Sequence, residues 1–141
     1  MKILLADDDR IQTLMIASRL RAKGHKVLMA HDAIQAWMAA IQNIPDAIVL
    51  DIQMPGGTGV AVLKQLKTST KTNQIPVVVM SGTLEPNVAA ETVKGMGADE
   101  FLTKPVDLKL LLSSLAKLLK IPLETPPEAE TEVTTDAGKI L

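Results

Sequence analysis

The sequence predicts an α/β protein in which a parallel sheet is wound with helices on both faces. Three observations predict it. Short apolar runs alternate strictly with longer amphipathic stretches, making five strand–helix units. Turn residues bound each run, as expected of buried parallel strands. Four of the runs lead directly into acidic, hydroxyl or ammonium side chains. Strict βα alternation implies a parallel sheet with right-handed crossovers.

The first run, Ile3–Ala6, precedes a segment with Ile11, Leu14 and Met15 on one face, then Ala17 and Leu20, which stops at Gly24. Asp9 reads as its N-cap or a first-turn acid. Val27–Ala30 is the second run. Asp32 with Gln35 three residues on resembles a capping box. The helix it opens carries Ile34, Trp37, Met38 and Ile41 at i, i+3, i+4 and i+7. Pro45-Asp46 breaks that helix before the third run, Ala47–Leu50. A Gly-rich loop, Pro55 to Gly59, leads to a helix with Val60, Leu63 and Leu66. Pro76 stands at the mouth of the fourth run, Val77–Met80, where a missing N–H is tolerated. Thr83 is placed to cap the next helix, with Pro86 in its first turn. Phe101-Leu102 is the fifth run. Asp107 caps a last helix whose apolar stripe is Leu108, Leu111, Leu112, Leu115, Leu118 and Leu119. Trp37 and the methionines read as core, and His25 and His31 as surface or structural residues.

Residues 1–121 are predicted to form one domain. Residues 122–141 form an acidic, Pro-containing tail or linker, with five acids against one lysine. Low hydrophobicity with one sign of charge predicts disorder there. The chain has 141 residues, of which 47% are hydrophobic and 22% charged, within the globular range. A net charge of -1 gives no bulk pull toward nucleic acid or membrane. With no cysteine, disulfides and thiolate metal sites are excluded, which fits a reducing cytoplasm. Trp37 and Phe101 are the only aromatics, so stacking platforms for single-stranded nucleic acid are excluded. No apolar stretch is long enough to span a membrane.

In an open α/β sheet, ligands bind outside the carboxyl ends of the strands. Asp7, Asp8, Asp51, Ser81 and Lys104 all fall at that edge. Each has a plain structural use as a cap, a turn residue or a loop lysine. Together they bring acids, a hydroxyl and an ammonium to one mouth. Clustered carboxylates repel one another, so either a cation is present or some of their pKa values rise. An all-oxygen set suits Mg²⁺. A carboxylate can attack phosphorus to give an aspartyl-phosphate, and such a transfer needs charge neutralisation above all. Mg²⁺, the Lys104 ammonium and the Ser81 hydroxyl can each serve one phosphoryl oxygen.

Four segments carry a family resemblance: Ile3-Leu-Leu-Ala-Asp7-Asp8-Asp9; Leu50-Asp51-Ile-Gln-Met54-Pro55-Gly-Gly-Thr-Gly59; Val78-Val-Met-Ser81-Gly82; and Gly97-Ala-Asp-Glu-Phe101-Leu-Thr-Lys104-Pro105. Over about residues 2–120 the chain resembles the receiver domain of two-component response regulators. The resemblance implies a flavodoxin-like, doubly wound, five-stranded parallel sheet of (βα)5 units in three α/β/α layers. It implies Asp51 as phosphoacceptor, loaded by a histidine kinase or phosphotransfer protein. It implies Asp8, Asp51 and the Gln53 main-chain carbonyl as Mg²⁺ ligands, with Asp7 acting through a metal-bound water. Lys104 would pair with the phosphoryl group, and the bond to Pro105 would be cis. Ser81 and Phe101 stand at the switch positions, where Phe101 has no hydroxyl and must act through ring burial. The surface of the fourth helix, fifth sheet strand and fifth helix would engage a downstream protein or a second copy. The implied protein is a cytoplasmic signalling module, not an enzyme, that touches neither nucleic acid nor membrane.

Other readings fit less well. A dehalogenase-like phosphohydrolase needs an acid two residues past its nucleophile, where this chain has Gln53. Asp7-Asp8-Asp9 would repel a flavin phosphate. A degenerate receiver serving as a phosphorylation-independent scaffold would not need the complete acid, lysine and hydroxyl set.

Overall fold

The computed structural model describes residues 1–54, 56–82 and 86–121. In chain order the elements are β1 (Lys2–Ala6), α1 (Arg10–Ala22), β2 (Lys26–Ala30), α2 (Ala33–Asn43), β3 (Ala47–Asp51), β4 (Gln53–Met54), β5 (Gly57–Thr58), α3 (Gly59–Thr68), β6 (Val77–Ser81), α4 (Pro86–Gly95), β7 (Glu100–Thr103) and α5 (Leu108–Leu119). Five strands form one parallel sheet in the order β2-β1-β3-β6-β7. This is the flavodoxin-type order. The chain winds outward from β1 to β2, then returns to the other side of β1 with β3. The crevice between the carboxyl ends of β1 and β3 is therefore the topological switch point.

Alternation along the buried strands divides the core in two. Leu4, Ala6, Ile48, Leu50, Val77 and Val79 pack toward Ala33, Ala36 and Ala40 of α2, Val62, Leu63 and Leu66 of α3, and Val93 of α4. Ile3, Leu5, Val49, Val78 and Met80 pack toward Ile16, Ala17 and Leu20 of α1 and Leu111, Leu112 and Leu115 of α5. Helix ends follow the sequence cues. Asp9, Asp32 and Asp107 are N-caps whose carboxylates accept from main-chain N–H groups of the first turn. Gly24 ends α1 at φ +89, with Gly24 N–H on the Arg21 carbonyl and His25 N–H on the Leu20 carbonyl. These are the two bonds of a Schellman motif.

Two helix faces differ from the sequence expectation. On α1, Ile11 (74% exposed), Leu14 and Met15 face solvent, and the buried face is Thr13, Ile16, Ala17 and Leu20. Thr13 is what hides this face from a hydrophobic pattern. Its hydroxyl donates to the Asp9 carbonyl at 2.7 Å, so it can be buried without losing a hydrogen bond. On α2, Ile34 (66% exposed) and Met38 point outward, while Ala33, Ala36 and Ala40 form the buried face. Small side chains let that helix seat against the sheet, and Trp37 is left partly buried at its flank. Met15 and Met38 are thus surface residues, whereas Met54 and Met80 are core.

The Gly-rich segment after β3 contains more order than expected, because β4 and β5 pair as a short antiparallel ribbon. Thr58 then caps α3, its hydroxyl accepting from Ala61 N–H at 3.1 Å. The expected Thr83 cap and the tail 122–141 lie outside the described residues. Among the described residues no helix is long and apolar enough to cross a membrane.

Candidate functional site

Four strand ends supply the site. Asp7 follows β1, Asp51 closes β3, Ser81 closes β6, and Lys104 follows β7. Main-chain ladders run on past the strand ends and hold these residues in place. Asp7 N–H donates to the Ala30 carbonyl at 3.0 Å, Ile52 N–H to Met80 at 3.1 Å, and Lys104 N–H to Ser81 at 2.9 Å. Asp7, Asp51 and Ser81 are each only 2% exposed, while Asp8 stands exposed at the rim.

Lys104 ties the pocket together. Its Nζ donates to Asp51 Oδ2 at 2.7 Å and to Asp7 Oδ1 at 3.2 Å. Asp51 Oδ1 accepts from Gln53 N–H at 2.9 Å, and Asp7 Oδ1 from Asp9 N–H at 3.0 Å. Burial, reinforced by the neighbouring Asp51 carboxylate, pushes the Asp7 carboxyl up to about 6, although Asp9 N–H and Lys104 pull it down. Burial alone would lower the Lys104 ammonium. Its bonds to Asp51 and Asp7 outweigh that and hold it above its ordinary value.

Two glycines keep the pocket close. A side chain at Gly59 would run into Ile52 Cα and the Asp51 carbonyl oxygen. A Cβ at Gly82 would stand 3.3 Å from Lys104 Cβ, tight against the lysine stem. The Lys104–Pro105 peptide bond is cis.

Carboxylate oxygens of Asp7, Asp8 and Asp51 all lie within 4.8 Å of one another. Asp7 Oδ2 and Ser81 Oγ are buried without a hydrogen-bond partner. Buried polar atoms normally have one. Three converging acids, one of them with an oxygen left unpartnered, are the donor set of a hard cation. The residues therefore fit Mg²⁺.

Of the residues singled out in the sequence, Asp7, Asp8, Asp51 and Lys104 converge directly. Ser81 is brought next to Lys104 at the main chain, by the β6–β7 register that pairs it with Thr103 and by the bond from Lys104 N–H to its carbonyl. Gln53 contributes its N–H to Asp51 and is exposed. Phe101 on β7 pairs with Val79 of β6 and packs, partly buried, on the α2–α3–α4 side of the sheet. Asp9 serves as a cap. His31 was not expected at the site, yet its ring Nδ1 lies 2.9 Å from the Asp7 carbonyl oxygen. Its position one residue past β2, level with Asp7, is the sequence signal for that contact.

Comparison with known proteins agrees with this geometry. The response regulator receiver domain family matches residues 3–116. The chain is 34% identical over 134 residues to the response regulator MprA of Mycobacterium avium, covering 94% of this chain and 55% of that protein. It is 37% identical over 120 residues to the sensory/regulatory protein RpfC of Xanthomonas campestris, covering 84% of this chain and 16% of that one. The chain thus spans about half or less of the length of these curated relatives. Among solved structures, the receiver domain of the Francisella response regulator 1452 superposes with a TM-score of 0.77 at 28% identity, covering 84% of this chain and 96% of that one. The receiver domain of NtrX from Brucella abortus gives 0.75 at 29% identity, covering 84% and 98%. The chain belongs to the receiver-domain family of two-component response regulators. Receiver domains of this family are phosphorylated by histidine kinases and bind Mg²⁺ at an acidic cluster.

Proposed function

We propose that this chain is a phosphorylation-controlled receiver whose phosphoacceptor is Asp51. The observation that carries the reading is the buried Asp51 carboxylate held at 2.7 Å by Lys104, with the unpartnered Ser81 hydroxyl nearby. A carboxylate oxygen of Asp51 attacks the phosphorus of a phosphohistidine on a kinase or phosphotransfer protein. The P–N bond breaks, and the imidazole leaves with its electron pair. Asp8, Asp51, the Gln53 carbonyl and, through water, Asp7 would hold Mg²⁺, which supplies charge neutralisation for the phosphoryl oxygens. Lys104 transfers its hydrogen bond from the carboxylate to a phosphoryl oxygen. Ser81 Oγ donates to another.

Phosphorylation adds roughly −1.5 to −2 charges and strong acceptor oxygens. The hydroxyl of Ser81 gains its partner only in that state, so it biases two packings of the sheet edge. Movement of Ser81 opens space that the Phe101 ring fills. The readout is altered affinity at the surface formed by α4, β7 and α5, for a downstream protein or a second copy. Acetyl phosphate with Mg²⁺ should add one phosphoryl group to the protein and none to Asp51→Asn. Intact-mass spectra with equal phosphorylation of both proteins would refute the assignment.

A further inference from the structure

The Asp7 carbonyl is the oxygen of the peptide that joins the two acids of the pocket, so its direction decides where the Asp8 side chain starts. In a continued parallel ladder, a main-chain N–H from the neighbouring strand would bond it after the Asp7–Ala30 rung. The chain instead leaves the ladder after Ala30 and turns into α2. At that point the His31 ring reaches the carbonyl, with Nδ1 at 2.9 Å. A carbonyl only accepts, so Nδ1 carries the hydrogen and this fixes the ring tautomer.

The main chain that carries the ring is itself anchored. His31 N–H donates to Gln35 Oε1 at 2.8 Å, and Gln35 N–H donates to Asp32 Oδ1 at 2.7 Å. Gln35 lies in the first turn of α2, and Asp32 is its cap. A continuous hydrogen-bonded chain therefore runs from the α2 N-terminus through His31 to the Asp7–Asp8 peptide. Asp8 is exposed at the rim. Its carboxylate nonetheless falls within 4.8 Å of those of Asp7 and Asp51.

We propose that His31 is a positioning residue of the metal pocket: its ring fixes the Asp7–Asp8 peptide so that the Asp8 carboxylate converges on Asp7 and Asp51. The inference rests on the Mg²⁺-binding reading above. It makes His31 a ligand-orienting group that never touches the ion, held by a turn outside the acid motif.

Three variants test it. His31→Ala removes the donor and the ring, and His31→Phe keeps ring bulk without a donor. His31→Asn restores a donor, because Asn Nδ2 stands at the same bond distance from the backbone as His Nδ1. Calorimetric titration with Mg²⁺ is the first readout. Groups that orient metal ligands typically contribute about 10- to 100-fold to affinity, so the Ala and Phe variants should bind Mg²⁺ at least about tenfold more weakly and Asn about as tightly as wild type. The second readout is the ¹⁵N shift of the Asp8 amide without metal. That amide shares its peptide with the bonded carbonyl, so it should move in the Ala and Phe variants and return in Asn. Thermal midpoints of all three should stay near wild type. Wild-type Mg²⁺ affinity in the Ala and Phe variants would overturn the proposal. So would an Asn variant as weak as Ala, or affinity losses that merely track lost thermal stability. A wild-type chain that takes up no Mg²⁺ would instead overturn the pocket reading, and the inference with it.

Discussion

Lys104 Nζ sits 2.7 Å from Asp51 Oδ2, joining the end of the last sheet strand to the end of the central one. The same ammonium reaches Asp7 Oδ1, so one cation serves two buried carboxylates. Removing it leaves two buried acids with one main-chain N–H each and no cation among the partners described for them. Losing one partner of a buried pair typically costs about 3–5 kcal/mol. Lys104 keeps some solvent contact, so Lys104→Met should cost about 2–3 kcal/mol at pH 7 without Mg²⁺. The loss should shrink below pH 5, where Asp7 is protonated. Urea unfolding at the two pH values measures it, and equal losses would contradict the pairing.

Asp7 gives a pH signature of its own. Its folded value, about 6, lies above the ordinary 3.8. Between those values the folded state binds more protons than the unfolded one, so stability falls as pH rises through that window. The metal-free protein should lose up to about 3 kcal/mol from this group, at 1.36 kcal/mol per unit. Asp7→Asn should flatten the slope. Mg²⁺ affinity should rise over the same window, because metal and proton compete for the pocket. Thermal melts in chelator from pH 4 to 7, for both proteins, check the sign.

Gly59→Ala should disturb Asp51 from behind. The new methyl meets Ile52 Cα and the Asp51 carbonyl, neither of which is the flexible end of a side chain. Overpacking of this kind costs about 1–3 kcal/mol. Acetyl phosphate loading should slow by more than the stability loss explains, since the displaced segment carries Asp51, the proposed phosphoacceptor. Rapid-quench kinetics on the folded fraction separates the two effects.

The outward apolar residues of α1 make a control for the helix register. Leu14→Ser with Met15→Ser should change stability by less than about 0.5 kcal/mol each. Ile16→Ala, one position on, should cost about 2–5 kcal/mol. Chemical denaturation distinguishes them, and reversed magnitudes would mean the helix is turned the other way.

The fold was legible because five apolar runs separated by helical stretches admit few windings. The site was legible because Asp7, Asp51, Ser81 and Lys104 terminate those runs, whatever the strand order. Helix faces were harder. A face built from Thr13 or from Ala33, Ala36 and Ala40 carries little hydrophobic signal. The louder pattern of Ile11, Leu14 and Met15, or of Ile34 and Met38, belongs to solvent. The β4–β5 ribbon has two residues per strand, too few for any periodicity to register. The His31 contact depends on the direction in which the chain leaves β2, which composition does not encode.

The sheet order has a consequence for the growing chain. Of the five sheet strands, β1 is made first but lies between β2 and β3, and β7, which delivers Lys104, is made last. Asp7 and Lys104 are 97 residues apart in sequence. On a ribosome the pocket cannot close until β7 has emerged and paired with β6. Until then Asp7 and Asp51 must wait without their lysine, and contacts spanning so much chain form slowly. A shortened nascent chain therefore carries the acids without the cation, and the pocket is completed only late in synthesis.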